Sequence, residues 1–64
     1  MDRLLTIEEV SELLGMTRGA LAQMRYEGRG PKYAKLSAKA IRYRASDVSA
    51  WVDGVVRAST ADAA

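Results

Sequence analysis

The sequence predicts a small, mostly helical α+β fold: two short helices joined by a tight turn, a two-stranded hairpin, and a closing helix. Three observations carry this. Apolar residues recur at helical spacing in two blocks, Ile7, Val10, Leu13, Leu14 near the start and Val48, Trp51, Val52, Val55, Val56 near the end. Glycine and proline cluster in Gly28-Arg29-Gly30-Pro31, which marks the end of the first helical half. Two short runs, Tyr33–Leu36 and Ile41–Arg44, alternate apolar with polar in the manner of strands. With 64 residues the chain is sized for one small domain, and a core this small rarely gives more than roughly 3–5 kcal/mol without staples.

Each element has its own local justification. Thr6-Ile7-Glu8-Glu9 has the Thr-x-x-Glu form of a capping box. Leu5 before it is placed to staple against Val10, and Glu8 and Glu9 lie in the first turn, where the helix dipole favours acids. Gly15 ends this helix, Met16 links, and Thr17 caps the next helix, which runs to a left-handed stop at Gly28. Helix, glycine turn and second helix in so few residues is a helix-turn-helix arrangement. Val10, Leu14, Met16, Leu21 and Met24 fall where the two helices must pack, and Ser11 is the small residue at their approach. In the hairpin, Ala34, Leu36, Ile41 and Tyr43 are expected to face the core, with Lys35, Arg42 and Arg44 outward. Its link, Ser37-Ala38-Lys39-Ala40, lacks the glycine of a common tight turn. Ser46 is expected to cap the last helix with Asp47 in its first turn. Trp51, the largest apolar body, is expected at the centre of the core. From Arg57 to Ala64 the composition turns to Ala, Ser, Thr and Asp, so 57–64 is expected to be a frayed or disordered tail behind a domain spanning 1–56.

Composition excludes several functions. There is no cysteine and no histidine, which removes disulfides and the usual zinc sites. Serines and threonines have no histidine base, and Glu8, Glu9 and Glu12 are explained by capping and the dipole. The expectation is therefore no enzyme, no metal and no cofactor. No apolar run approaches the length of a membrane span or of a signal peptide core, so a soluble cytoplasmic protein is expected.

The formal charge of +2 hides a strong asymmetry. Residues 16–45 hold eight bases against the single acid Glu27, a net +7, while the remainder holds two bases against seven acids, a net −5. A segment of one sign in so small a domain makes a focused positive field whose natural partner is a polyanion. The second helix fits the same partner. Arg18, Gly19, Ala22, Gln23 and Arg25 avoid its apolar side, and their cations and amide are interspersed with residues almost without side chains, which lets a backbone come close to a groove floor.

The segments Leu4–Val10, Leu13–Arg18, Glu27–Pro31, Ile41–Arg44 and Ser46–Val52, taken together, resemble the AlpA/excisionase-like winged helix-turn-helix family, relatives of the MerR-type DNA-binding domain. The likeness covers roughly residues 4 to 56. It implies a second helix in the major groove and a hairpin wing on the backbone or the neighbouring minor groove. Carried over by position, Thr17, Arg18, Gln23 and Arg25 become helix contacts with double-stranded DNA, flanked by Gly19 and Ala22. Lys35, Lys39, Arg42 and Arg44 become wing contacts. The chain departs from the family pattern in its small Gly19, Ala20 and Ala22, in Met24 where an aromatic residue is common, and in a wing tip without glycine. The implied function is that of a phage or prophage excisionase, a recombination directionality factor that binds and bends attachment-site DNA and steers an integrase towards excision. A small AlpA-like transcriptional regulator is the second reading. A protein-interaction module is a reading of a different class, and the +7 segment stands against it. The chain is expected to be a monomer that assembles cooperatively on tandem DNA sites.

Overall fold

A computed structural model describes the backbone of residues 2–63 and the side chains of residues 2–56. The order is β1 (Leu4–Leu5), α1 (Ile7–Leu14), α2 (Arg18–Glu27), β2 (Ala34–Ser37), β3 (Ala40–Arg44) and α3 (Ala45–Ala63). The fold is mixed α+β and mostly helical, as expected, with one strand more than the sequence announced. β1 pairs antiparallel with β3, making a three-stranded sheet of order β1-β3-β2. Two residues are too short to show alternation, so this strand is not visible in the apolar pattern.

The helix ends agree closely with the sequence. The Thr6 hydroxyl accepts from the Glu9 N–H at 3.1 Å while the Glu9 carboxylate accepts from the Thr6 N–H at 2.9 Å, a reciprocal capping box. The Thr6 N–H holds the Glu9 carboxyl below its usual range, with Arg3 adding to the effect. Gly15, at φ 65°, and Gly28, at φ 74°, take the left-handed conformation that closes α1 and α2. Each helix then ends in a six-to-one bond, Met16 N–H to Ser11 O at 3.1 Å and Arg29 N–H to Met24 O at 2.9 Å. Ser11 does more than stay small. Its hydroxyl also donates to the Met16 carbonyl, so both polar groups of Ser11 fix the linking residue between the helices.

The core consists of Leu5, Val10, Leu21, Met24, Tyr43 and Val48, with Ile7, Leu14, Met16, Ile41, Ala45, Trp51 and Val52 packed around it. Three expectations are corrected here. First, Tyr43, not Trp51, is the largest fully buried side chain, and Trp51 lies half-buried at the rim. α3 starts directly from β3, so Val48 is its inward residue. The helix then runs past a shallow core, leaving Val55 and Val56 exposed although they belong to the same apolar stripe. Second, Ser46 does not cap α3, which already begins at Ala45. Asp2 serves that end from outside: its carboxylate accepts from the Ser46 hydroxyl and, at 3.4 Å, from the Ser46 N–H. These bonds hold the Asp2 carboxyl below its ordinary value.

The third correction concerns the hairpin. Ala34 faces Arg42 and Lys35 faces Ile41 across the ladder, and directly opposed residues share a face. Ala34 and Leu36 therefore do not share the inward face of Ile41 and Tyr43. The ladder slips between Lys35 and Ser37, and Leu36 at the slip is exposed. The cause lies in the two-residue link Ala38-Lys39. No residue other than glycine has positive φ in the described chain, so the link cannot adopt the primed turns that match strand twist, and the strands accommodate it by a bulge. α3 carries on through 57–63 as backbone, while the side chains of the stretch expected to fray lie outside the described residues.

Two glycines give opposite expectations for stability. At Gly30, φ is 85° and an added Cβ would meet Met24 side-chain atoms at 3.1–3.2 Å, whereas Gly54 sits inside α3 with nothing within 4 Å. Gly30→Ala is expected to cost about 1–2 kcal/mol from the left-handed backbone alone, and Gly54→Ala to gain about 1 kcal/mol of helix propensity. Thermal unfolding followed by circular dichroism checks both signs, at roughly 4–8 °C per kcal/mol.

Candidate nucleic-acid interface

α2 buries Leu21 and Met24 and turns its other faces to solvent. Thr17 caps it, its hydroxyl accepting from the Ala20 N–H at 3.0 Å. This bond satisfies one of the free N–H groups of the first turn. Arg18 occupies this first turn and reaches Glu8 of α1 at 3.6 Å, with both side chains about two-thirds exposed. So exposed a pair is worth little and yields readily to a stronger anion. Gly19 and Ala22 are exposed and contribute almost no bulk. Gly19 has room for a Cβ, its nearest neighbour being Thr17 Oγ1 at 4.0 Å. No internal packing requires a glycine there.

Gln23 and Arg25 are more tightly engaged than the sequence suggests. Gln23 Nε2 donates to Glu27 at 2.9 Å, and the other oxygen of Glu27 takes Arg29 Nε at 2.6 Å. These two donors hold the Glu27 carboxyl below its ordinary range. Glu27, the one acid of the basic segment, is thereby neutralised beside the candidate DNA face. Arg25 is half-buried, donates Nη1 to the Tyr43 hydroxyl at 2.7 Å and sits 5.8 Å from the Tyr33 ring centroid. Tyr33 and Tyr43 in turn lie 6.2 Å apart, tilted at 53°. Arg25 thus joins the second helix to the root of the wing, and its guanidinium presents only its remaining donors outward.

The wing places its cations on more than one side. Lys35 shares a face with Ile41, Arg42 shares the opposite face with Ala34, and Lys39 is in the link at the tip. Arg42 also donates to its neighbour's carbonyl, Ile41 O, at 2.8 Å, which stiffens it along the strand. Arg44 sits at the far end of β3, opposite Leu4, in a two-pronged pair with Asp47 at 2.7 and 3.2 Å. Asp47 pushes the Arg44 guanidinium further up from its already high value. Of the four wing residues, Arg44 is the one drawn back towards α3.

Sequence reasoning misses Arg29 and Lys32. With Arg25, Pro31 and Tyr33 they line an open groove between the end of α2 and the start of the wing. Both belong to the +7 segment, but only the fold shows that the loop carries them between the two candidate DNA-contacting elements. Among the described residues no group of three or more His, Cys, Asp or Glu stands together to hold a metal.

A tri-helical domain with a capped, cation-bearing second helix of the helix-turn-helix and a basic hairpin beside it is the architecture of a DNA-binding module. The profile of the helix-turn-helix domain family matches residues 4–54, four-fifths of the chain, and the protein belongs to that family of small excisionase- and AlpA-like DNA-binding domains. No curated protein and no solved structure matches it. No helix of the described residues is long and apolar enough to cross a membrane.

The Arg25–Tyr43 joint is testable by a double-mutant cycle. Tyr43→Phe and Arg25→Ala are each expected to destabilise, and the pair to show a coupling of about 1 kcal/mol in urea unfolding. Additive effects would mean that the joint contributes nothing to stability.

Proposed function

We propose that the protein is a sequence-dependent binder of double-stranded DNA of the excisionase class, which bends attachment-site DNA and steers an integrase towards excision. The carrying observation is the pairing of an α2 face stripped of bulk at Gly19 and Ala22 with a wing whose cations lie on both of its faces. A hairpin with Lys35 on one side, Arg42 on the other and Lys39 at the tip is suited to a minor groove, where phosphate rows flank it left and right. In this reading Thr17, Arg18 and Gln23 address the major groove together with the outer donors of Arg25, and Arg29 and Lys32 hold the backbone between the two grooves. Arg44 stabilises the root of the wing and meets phosphate only with what Asp47 leaves free. The excision role rests on the family likeness of the motif-bearing segments. It is tested by excisive recombination between paired attachment sites, with a site-specific integrase and its attachment sites assayed with and without this protein. Stimulated excision with a DNA bend supports it, and promoter regulation without effect on recombination assigns the protein to the regulators instead. The protein acts in the cytoplasm, as a monomer that assembles on adjacent sites, since each small module binds modestly.

Two outcomes are expected for binding. Replacing Lys39 and Arg42 by alanine weakens all duplexes about equally and lowers the salt slope of log K by about 2, one unit for each phosphate released. Arg18→Ala costs roughly 1–3 kcal/mol on a selected site and far less on random DNA, because its fork bonds guanine O6 and N7 together. Competition binding across a salt series reads both.

A further inference from the structure

The surface of α2 directly opposite Leu21 and Met24 is formed by Gly19, Ala22, Gln23 and Tyr26, which share an arc of about 100° at 3.6 residues per turn. Along this arc the side chains lengthen steadily from the N-terminal to the C-terminal end: none, a methyl, an amide arm, a phenol. A recognition helix enters the major groove with its N-terminal end leading, so its later turns stand further from the base edges. A surface that is bare at the leading end and long at the trailing end matches that tilt. Gly19 and Tyr26 are separated by about 10 Å along the axis, close to three base-pair steps.

Tyr26 stands out on this surface. It is 81% exposed, the most exposed of the large apolar side chains among the described residues. Arg18, Gln23 and Arg25 each already hold a partner within the chain, whereas among the described residues no hydrogen bond, ion pair or ring contact engages the Tyr26 side chain. A single exposed aromatic residue is ordinary on a protein surface. Its position in the middle of the face turned away from the core, on the helix that carries the DNA contacts, is what gives it a role.

We propose that Tyr26 reads DNA sequence, its ring packing against the C5-methyl group of a thymine in the major groove. The inference rests on the reading of α2 as the recognition helix and names a specificity residue within it. The chemistry comes from the neighbours. Ala22, one turn before Tyr26 on the same arc, offers only a methyl group, and the amide of Gln23, the polar neighbour, already donates to Glu27. The ring is therefore the apolar feature at this end of the face, and thymine is the one base with an apolar group on its major-groove edge.

The experiment uses the full chain, with Tyr26→Ala and Tyr26→Phe beside the wild type, all checked for unchanged helical content. A random duplex pool is selected with the wild type, and the best duplex is remade with deoxyuridine in place of each thymidine in turn. The wild type is expected to lose about fourfold at one such position, the value of one buried methyl group. Tyr26→Ala is expected to bind the thymine duplex about fourfold more weakly and to be indifferent to uridine there, while Tyr26→Phe behaves as the wild type. Tyr26→Ala that keeps wild-type affinity and wild-type sensitivity to uridine overturns the proposal. So does Tyr26→Phe that loses as much as alanine, since the contact would then belong to the hydroxyl. A wild type that binds no duplex at all contradicts the DNA-binding reading itself, a result readily told apart from these two.

Discussion

The burial of Tyr43 is the constraint on which the other parts depend. β3 is the central strand, paired with β1 on one side and β2 on the other, and Tyr43 sits on it opposite Leu5, 1% exposed. A ring of that size contributes about 2–3 kcal/mol by burial in so small a core, but its hydroxyl must find a partner to be there. Arg25 supplies it from α2. One side chain therefore fixes the sheet, the second helix and, through Tyr33, the start of the wing in a single arrangement. The spacing between helix and wing is held by this joint together with the connecting loop, whose Gly30 packs closely on Met24.

That joint also explains a compromise in the surface. Arg25 is a base in the strongly positive segment, yet it is largely committed inward. Arg44 is likewise held by Asp47 and Gln23 by Glu27. The cations without a hydrogen bond or ion pair among the described side chains are lysines, at Lys32, Lys35 and Lys39. Flexible point charges suit phosphates, whereas planar forks suit structure and base edges. The division of labour between arginine and lysine is thus written into which of them the fold ties down.

Much of this is legible from residue order, because capping is local. Thr6 with Glu9, Gly15, Thr17 and Gly28 act within one helical turn of themselves, and the structure has them in those roles. The features that escape such a reading are non-local. β1 exists only because β3 offers an edge, and Asp2 caps α3 across 44 residues. The inward set of the hairpin is misread from the pattern because a one-residue slip moves side chains to the other face, and the slip is set by the conformation of Ala38-Lys39, for which the pattern carries no marker. Of the candidate contact residues, exposure of Gly19 and Ala22 is given by helical period alone. The engagement of Arg25 is not, since its partner lies 18 residues away on another element. Arg29 and Lys32 escape because a charge count gives no direction, and Tyr26 because polar side chains are the more obvious mark of a DNA-facing helix.

The central claim is that α2 and the wing form one DNA-facing surface while α3 faces away. Amide chemical-shift mapping of the full chain against a short random-sequence duplex tests it most directly. The account predicts perturbations concentrated in residues 17–26 and 29–42, with α1 and the body of α3 unmoved apart from the Glu8 turn beside Arg18. Perturbations centred on α3, or confined to the wing with α2 silent, would contradict it.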